Sequence, residues 1–173
     1  MSDGAIMIVL RVVHIICGVF WAGAVMIMAW FVLPTAQALG PAGGAFMQRL
    51  MFGQRLRVFV GAAMGLTILS GLTMYTWVAM ETDGAWARSR MGVALGVGAV
   101  AAIIAGGIGG AVIGRVGEKM AGLSAKIQAS GNPPTDAEKA ELASYQRRMR
   151  SAFRIIAVLL VIAIITMAGA RYL

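Results

Sequence analysis

The run Ala5–Leu33, AIMIVLRVVHIICGVFWAGAVMIMAWFVL, carries one charge, Arg11, and the chain's single histidine and single cysteine, His14 and Cys17. It is too long and too continuous for a strand of a membrane barrel, which alternates over about ten residues. An α-helix needs about 20 apolar residues to cross a hydrocarbon layer of ~30 Å. The run therefore predicts a membrane-spanning helix and decides the fold class.

Three further runs of the same kind follow, at about 58–80, 91–114 and 152–169. With 60% hydrophobic residues, 13% charged residues and a mean hydropathy of +0.82, the chain lies far from soluble domains, whose charged fraction is roughly 25%. The expectation is an all-α integral membrane four-helix bundle, one domain over residues 1–173, in contact with a lipid bilayer. Ala36-Gln37-Ala38 has the form of a signal-peptidase site, but the apolar stretch before it is about twice the usual 7–15 residues and no basic cluster precedes it. The first run is read as a span rather than a leader.

The formal charge is +8, and its distribution reads as topology. Arg49, Arg55 and Arg57 lie between the first two spans. Arg115, Lys119, Lys126, Lys139, Arg147, Arg148 and Arg150 lie between the last two. The loop between spans two and three has only Arg88 and Arg90, against Glu81 and Asp83. By the positive-inside rule, loops 34–57 and 115–150 are cytoplasmic and both termini lie outside. Loop charge so explained leaves nothing for nucleic acid to account for.

Between Pro34 and Gly44 the sequence PTAQALGPAGG is expected to end the first helix, since proline cannot extend one and glycine favours turns. Residues 45–57 mix apolar and basic side chains as an interfacial segment does. The third span is rich in glycine, including Gly92, Gly96, Gly106 and Gly110, and the second carries Gly61 and Gly65. Such small-xxx-small spacing lets helix backbones approach where lipid offers no hydrophobic drive for association. These glycines, with Gly18 in the first span, are the expected helix-packing positions, and the third helix is expected to be central.

The long basic loop carries its own pattern. Residues 130–134, SGNPP, call for a turn, and Thr135-Asp-Ala-Glu138 fits a capping box. Met120, Leu123 and Ile127 precede it at helical spacing; Leu142, Tyr145, Met149 and Phe153 follow it. Spans three and four are expected to run on into the cytoplasm as a helical hairpin over about 115–150.

Arg11, His14, Gly18, Trp21 and Val25 are spaced 3, 4, 3 and 4 and share one face of the first helix. A buried imidazole needs partners for its ring nitrogens. Three roles are open to His14: a ligand to haem iron or another metal, a proton carrier, or a hydrogen-bonding group satisfied by Ser70, Thr67, Thr73 or a carbonyl of a neighbouring helix. In the haem reading His14 is the axial ligand and Arg11 faces a propionate. The missing second histidine would be replaced by Met74, Met167, another copy's His14, or an open position. Copper would favour methionine and cysteine, but no dense methionine run is present and Cys17 sits at the margin of the His14 face. No span contains an acid, the usual mark of an ion or proton pathway, and hydrolase, zinc-protease and phosphate-loop signatures are absent. Trp21, Trp30 and Trp77 read as packing or belt residues.

The pattern Leu10-Arg-Val-Val-His14, Phe20-Trp-Ala-Gly23, Phe31-Val-Leu-Pro34, then Arg57 and Ser70-Gly-Leu-Thr-Met-Tyr75, resembles the copper-resistance-D-like group of small four-helix bacterial membrane proteins. That group includes haem-containing protoporphyrinogen oxidases and many uncharacterised members. The resemblance implies a place in the bacterial inner membrane and haem b at His14. The oxidases also carry a lysine on the third helix; here none stands between Arg90 and Lys119. From Met91 to Leu173, including the Gly131-Asn-Pro-Pro134 turn, the chain is more similar to the uncharacterised members. Two functions follow. The first is a non-catalytic accessory or scaffold subunit of a larger respiratory or photosynthetic complex, bound to other membrane subunits or to itself. The second is a small haem b redox protein built on His14 and Arg11.

Overall fold

The computed structural model describes residues 3–173. Among them there is no strand, and four helices are long and apolar enough to cross a membrane: α1 (Asp3–Ala38), α3 (Leu56–Glu81), α4 (Arg90–Ser130) and α5 (Asp136–Tyr172). A short helix, α2 (Pro41–Gln48), lies between the first two. This is the architecture of a multi-pass membrane protein.

The first helix ends within the expected Pro34–Gly44 stretch, though not at its proline. Pro34 does not end α1, which continues to Ala38. Proline lacks an N–H, and its ring crowds the carbonyl four residues back. The chain accommodates both by widening the preceding turn: Met28–Val32 is π-helical, and the Leu33 N–H bonds to the Met28 carbonyl, five residues back. The reversal comes later, at Leu39 and Gly40, where Gly40 takes φ 58°, a conformation open to glycine at little cost. Pro41 then opens α2. Gly43 lies directly on the Ala36 carbonyl, so no larger residue fits this turn.

A second π-helical turn, Arg49–Gly53, follows α2, and Arg55 in a left-handed conformation (φ 55°) precedes the start of α3. In α3 the hydroxyls are satisfied locally. Thr67, Ser70, Thr73 and Thr76 each donate to the carbonyl four residues earlier, at 2.5–2.8 Å. Hydroxyl residues are carried through an apolar helix in this way.

Ser89 caps α4, accepting from the Gly92 N–H at 3.1 Å. The helix passes through a third π-helical turn, Gly109–Gly114, and stops at Gly131 with φ 67°. The capping box at the start of α5 is formed: Glu138 Oε2 accepts the Thr135 N–H at 2.8 Å, and Thr135 Oγ1 accepts the Glu138 N–H at 3.3 Å. Met120, Leu123, Ile127, Leu142 and Tyr145 are half-buried, while Met149 and Phe153 are buried.

The two most extensive pairings are α1 with α3 and α4 with α5; α1 also packs on α5, and α3 touches α4 more lightly. α3 is the least apolar of the four, with mean hydropathy 1.7 against 2.2–2.5 for the others, and the least covered. The core follows α5 through Ile156, Ala157, Leu160 and Ala163, meeting Trp21, Val25 and Ala29 of α1 and Ala101 and Ala105 of α4. Gly98 and Gly106 are buried on α4. The glycine-rich helix packs broadly on α5 and also reaches α3, where a Cβ at Gly106 would meet Ile68 at 2.9 Å and one at Gly96 would meet the Tyr75 hydroxyl at 3.2 Å.

Candidate functional site

His14 lies at the joint between α1 and α3. Its Nδ1 is 2.8 Å from the main-chain carbonyl oxygen of Thr67, with Ser70 Oγ at 3.4 Å. A carbonyl can only accept, so Nδ1 carries the proton, and in the neutral ring Nε2 holds a free lone pair. Nε2 takes no hydrogen bond among the described residues.

The imidazole reaches this carbonyl because Gly71 has no side chain. A Cβ there would stand 2.6 Å from His14 Cε1 and 2.9 Å from Nδ1. One turn further along α1, Gly18 performs a milder version of the same service, its Cβ position lying 3.5 Å from the Thr67 methyl. The hydroxyls of Thr67 and Ser70 are turned back to Ala63 and Leu66 on their own helix. Of the partners considered from sequence, the backbone carbonyl is the closer, and the Ser70 hydroxyl is a longer second contact.

The shared face of α1 rotates from the outside into the bundle as it descends. Arg11 is exposed, His14 and Gly18 are half-buried, and Trp21 and Val25 are 3% and 4% exposed. Arg11 makes no ion pair among the described residues. Cys17 is half-buried, free, and packed at the edge of the core. Met167 is engaged elsewhere, against Gly98. No group of three or more His, Cys, Asp or Glu side chains is assembled for a metal among the described residues. Two shallow depressions lie at the far end of α3, one lined by Thr73, Thr76, Trp77, Met80 and Glu81, the other by Thr76, Ala79, Met80, Asp83 and Gly84. Neither includes His14.

The packing glycines divide. Gly92 is fixed against the Trp86 carbonyl and Ala87 of its own loop, and Gly96 and Gly106 meet α3. A Cβ at Gly61, Gly65 or Gly110 would meet nothing within 4 Å. Gly71 and Tyr75 were not singled out individually from sequence, although both lie inside the Ser70–Tyr75 motif. Tyr75 donates to the Gly92 carbonyl at 3.3 Å and sits edge-on to Trp86, ring centroids 5.2 Å apart. It ties the C-terminal part of α3 to the start of α4.

The donor set suits one axial contact to an iron and no more. Nδ1–H bonded to a carbonyl is the arrangement that orients a ligating imidazole and raises its basicity. Comparison with protein-family models, with curated proteins and with solved structures gives no match.

Proposed function

We propose that the chain is a non-catalytic membrane subunit, an accessory or scaffold component of a larger respiratory or photosynthetic complex in the bacterial inner membrane. The observation that carries this reading is the open glycine pair of α3. Gly61 and Gly65 have the spacing that seats a neighbouring helix, and among the described residues nothing comes within 4 Å of where either Cβ would stand. In this reading a partner's helix fills it. Loops 34–57 and 115–150 are cytoplasmic, the latter as a helical hairpin, and both termini are periplasmic. Gly61→Leu with Gly65→Leu should abolish co-purification of partner subunits in mild detergent while the chain stays folded. Unchanged co-purification, or the absence of any partner to lose, refutes the reading. A tag at Asn132 that proves accessible from outside the cell would overturn the orientation.

A second reading has its own support in the free lone pair of His14 Nε2. Here haem b is held at the α1–α3 face, with His14 as axial ligand and Arg11, one turn away and uncompensated, on a propionate. The group would supply one-electron redox chemistry. The chain's own part is to fix the imidazole through the Thr67 carbonyl and to neutralise one carboxylate. An absorption spectrum of gently purified protein decides it: a Soret band lost in His14→Ala with the fold retained establishes haem at this site. A colourless, folded preparation removes it.

A further inference from the structure

The charge of the molecule is concentrated at one end. Eleven of the fifteen Lys and Arg residues lie in residues 49–57 and 115–154, where only four of the seven acids accompany them. That accounts for seven of the eight net positive charges. Within this end, one corner is built differently from the rest. The segment 41–53 turns Met47, Leu50 and Met51 inward against the core and leaves Phe46 and Phe52 about half exposed, at 50% and 46%.

Three guanidinium groups belong to this corner. The stem of Arg49 folds over Gly53, with Cδ 3.0 Å from where a Cβ would stand. Arg57 lies over the Phe52 ring, 5.1 Å from its centroid. Arg55 falls between them at the turn into α3. One acid approaches: Glu118 is 3.9 Å from Arg57, both side chains being more than half exposed. Arg49 and Arg55 have no ion pair among the described residues.

Exposed aromatic rings in a segment with three guanidinium groups, two of them without an ion pair among the described residues, at the end of an apolar span, match the boundary between acyl chains and headgroups. The rings enter the acyl region and the cations meet phosphate. We propose that the Arg49–Arg57 corner binds the headgroup of an anionic phospholipid, with Arg49, Arg55 and Arg57 on the phosphate and Phe46 and Phe52 among the upper acyl carbons. The inference requires only that the chain spans a bilayer. It is independent of any partner subunit, of haem, and of which side this end faces.

The test uses the full chain reconstituted in vesicles of phosphatidylcholine and phosphatidylglycerol, extracted in mild detergent. The lipids retained per chain are then counted by mass spectrometry. Each cation near an anionic surface contributes about five-fold in binding, so R49Q/R55Q/R57Q should lower the preference for phosphatidylglycerol by at least about ten-fold. R88Q/R90Q, at the opposite end, should leave the preference intact. The lysine triple variant, R49K/R55K/R57K, should keep most of it, because charge is retained. Raised salt should weaken it, as expected for exposed charges. The proposal is overturned if the natural chain retains both lipids in proportion to their supply, if the opposite-end pair loses as much, or if the lysine variant fares no better than the glutamine one.

Discussion

Where α1 meets α3, a histidine crosses to a backbone carbonyl and Gly71 makes room for it. Where α4 meets α5, no side-chain hydrogen bond crosses among the described residues. The approach is made by Gly98, Ala101, Ala102 and Ala105 against a stripe of Ile156, Ala157, Leu160 and Ala163. Even Thr166, next to Gly98, donates back to its own helix, to Ile162 and Ala163. The contrast shows two ways of joining helices in a solvent that gives apolar surfaces no reason to associate. One joint is marked by the polar contacts of a single side chain, His14, and by the glycine that admits it. The other is specified by shape and is distributed over many.

Substitutions should separate the two. Gly71→Leu is expected to have the largest effect, since it overpacks the imidazole and breaks its hydrogen bond together; overpacking alone costs about 1–3 kcal/mol. Thermal unfolding in detergent, with a cysteine pair across α1 and α3 to report the joint, measures it. A wild-type melting curve with the crosslink preserved would contradict the geometry. His14→Ala should come next. Hydrogen bonds between membrane helices average about 0.6 kcal/mol and reach about 1.7, and this change leaves a void as well. Gly98→Ala should cost roughly 1 kcal/mol, the low end for overpacking, because its added methyl meets only side chains, Met167 Cγ and Thr166 Oγ1, each 2.8 Å away, and both can shift. If it outweighs Gly71→Leu, the polar joint is not the more fragile one. Ser70→Ala should cost less than His14→Ala, since its hydroxyl serves α3 and the acceptor of the histidine is backbone.

The smallest effect is a pH dependence at the start of α5. Hydrogen bonds from the Thr135 main chain, and then from its hydroxyl, hold the Glu138 carboxyl below the usual glutamate range. A depressed pKa stabilises the fold above the unfolded-state value and loses that contribution as pH falls through the folded one. Amide exchange in the first turn of α5 should therefore accelerate in mild acid while the α4–α5 joint stays protected. Loosening of both together would mean that the cap and the joint form one unit.

The sequence was explicit where a local rule decides. Thr135 and Glu138 sit at capping-box spacing and form the box. The four apolar runs become the four long helices. The break falls inside the expected Pro34–Gly44 stretch, but Pro34 does not mark its point: the turn before it widens, and nothing in the composition of Met28–Val32 announces that. At the site, a one-turn spacing placed His14 on a face with Arg11 and Gly18, but periodicity says nothing about what stands opposite. The Thr67 hydroxyl is turned to its own helix, and that of Ser70, which donates to Leu66, stays only as the longer contact to Nδ1. Gly71 stood outside the glycine pair of its span, with Thr67 and Tyr75 rather than glycine four residues to either side, and a lone glycine leaves no pattern. The openness of Gly61 and Gly65 was equally unreadable, because a packing motif looks the same whether its partner lies in the same chain or another.

The acceptor that fixes His14 is a peptide carbonyl, and no substitution in α3 can delete it. The main-chain acceptor is therefore kept whichever side chains stand at residues 67 and 70, and the contact is vulnerable at residue 71. In a selection for function, lesions should fall on His14 and on Gly71, two positions in different spans. A bulky residue at 71 should be rescued by trimming residue 14, provided His14 has no further duty. Failure of that rescue, in a chain that folds again, would show by genetics alone that the imidazole is kept for something other than holding two helices together.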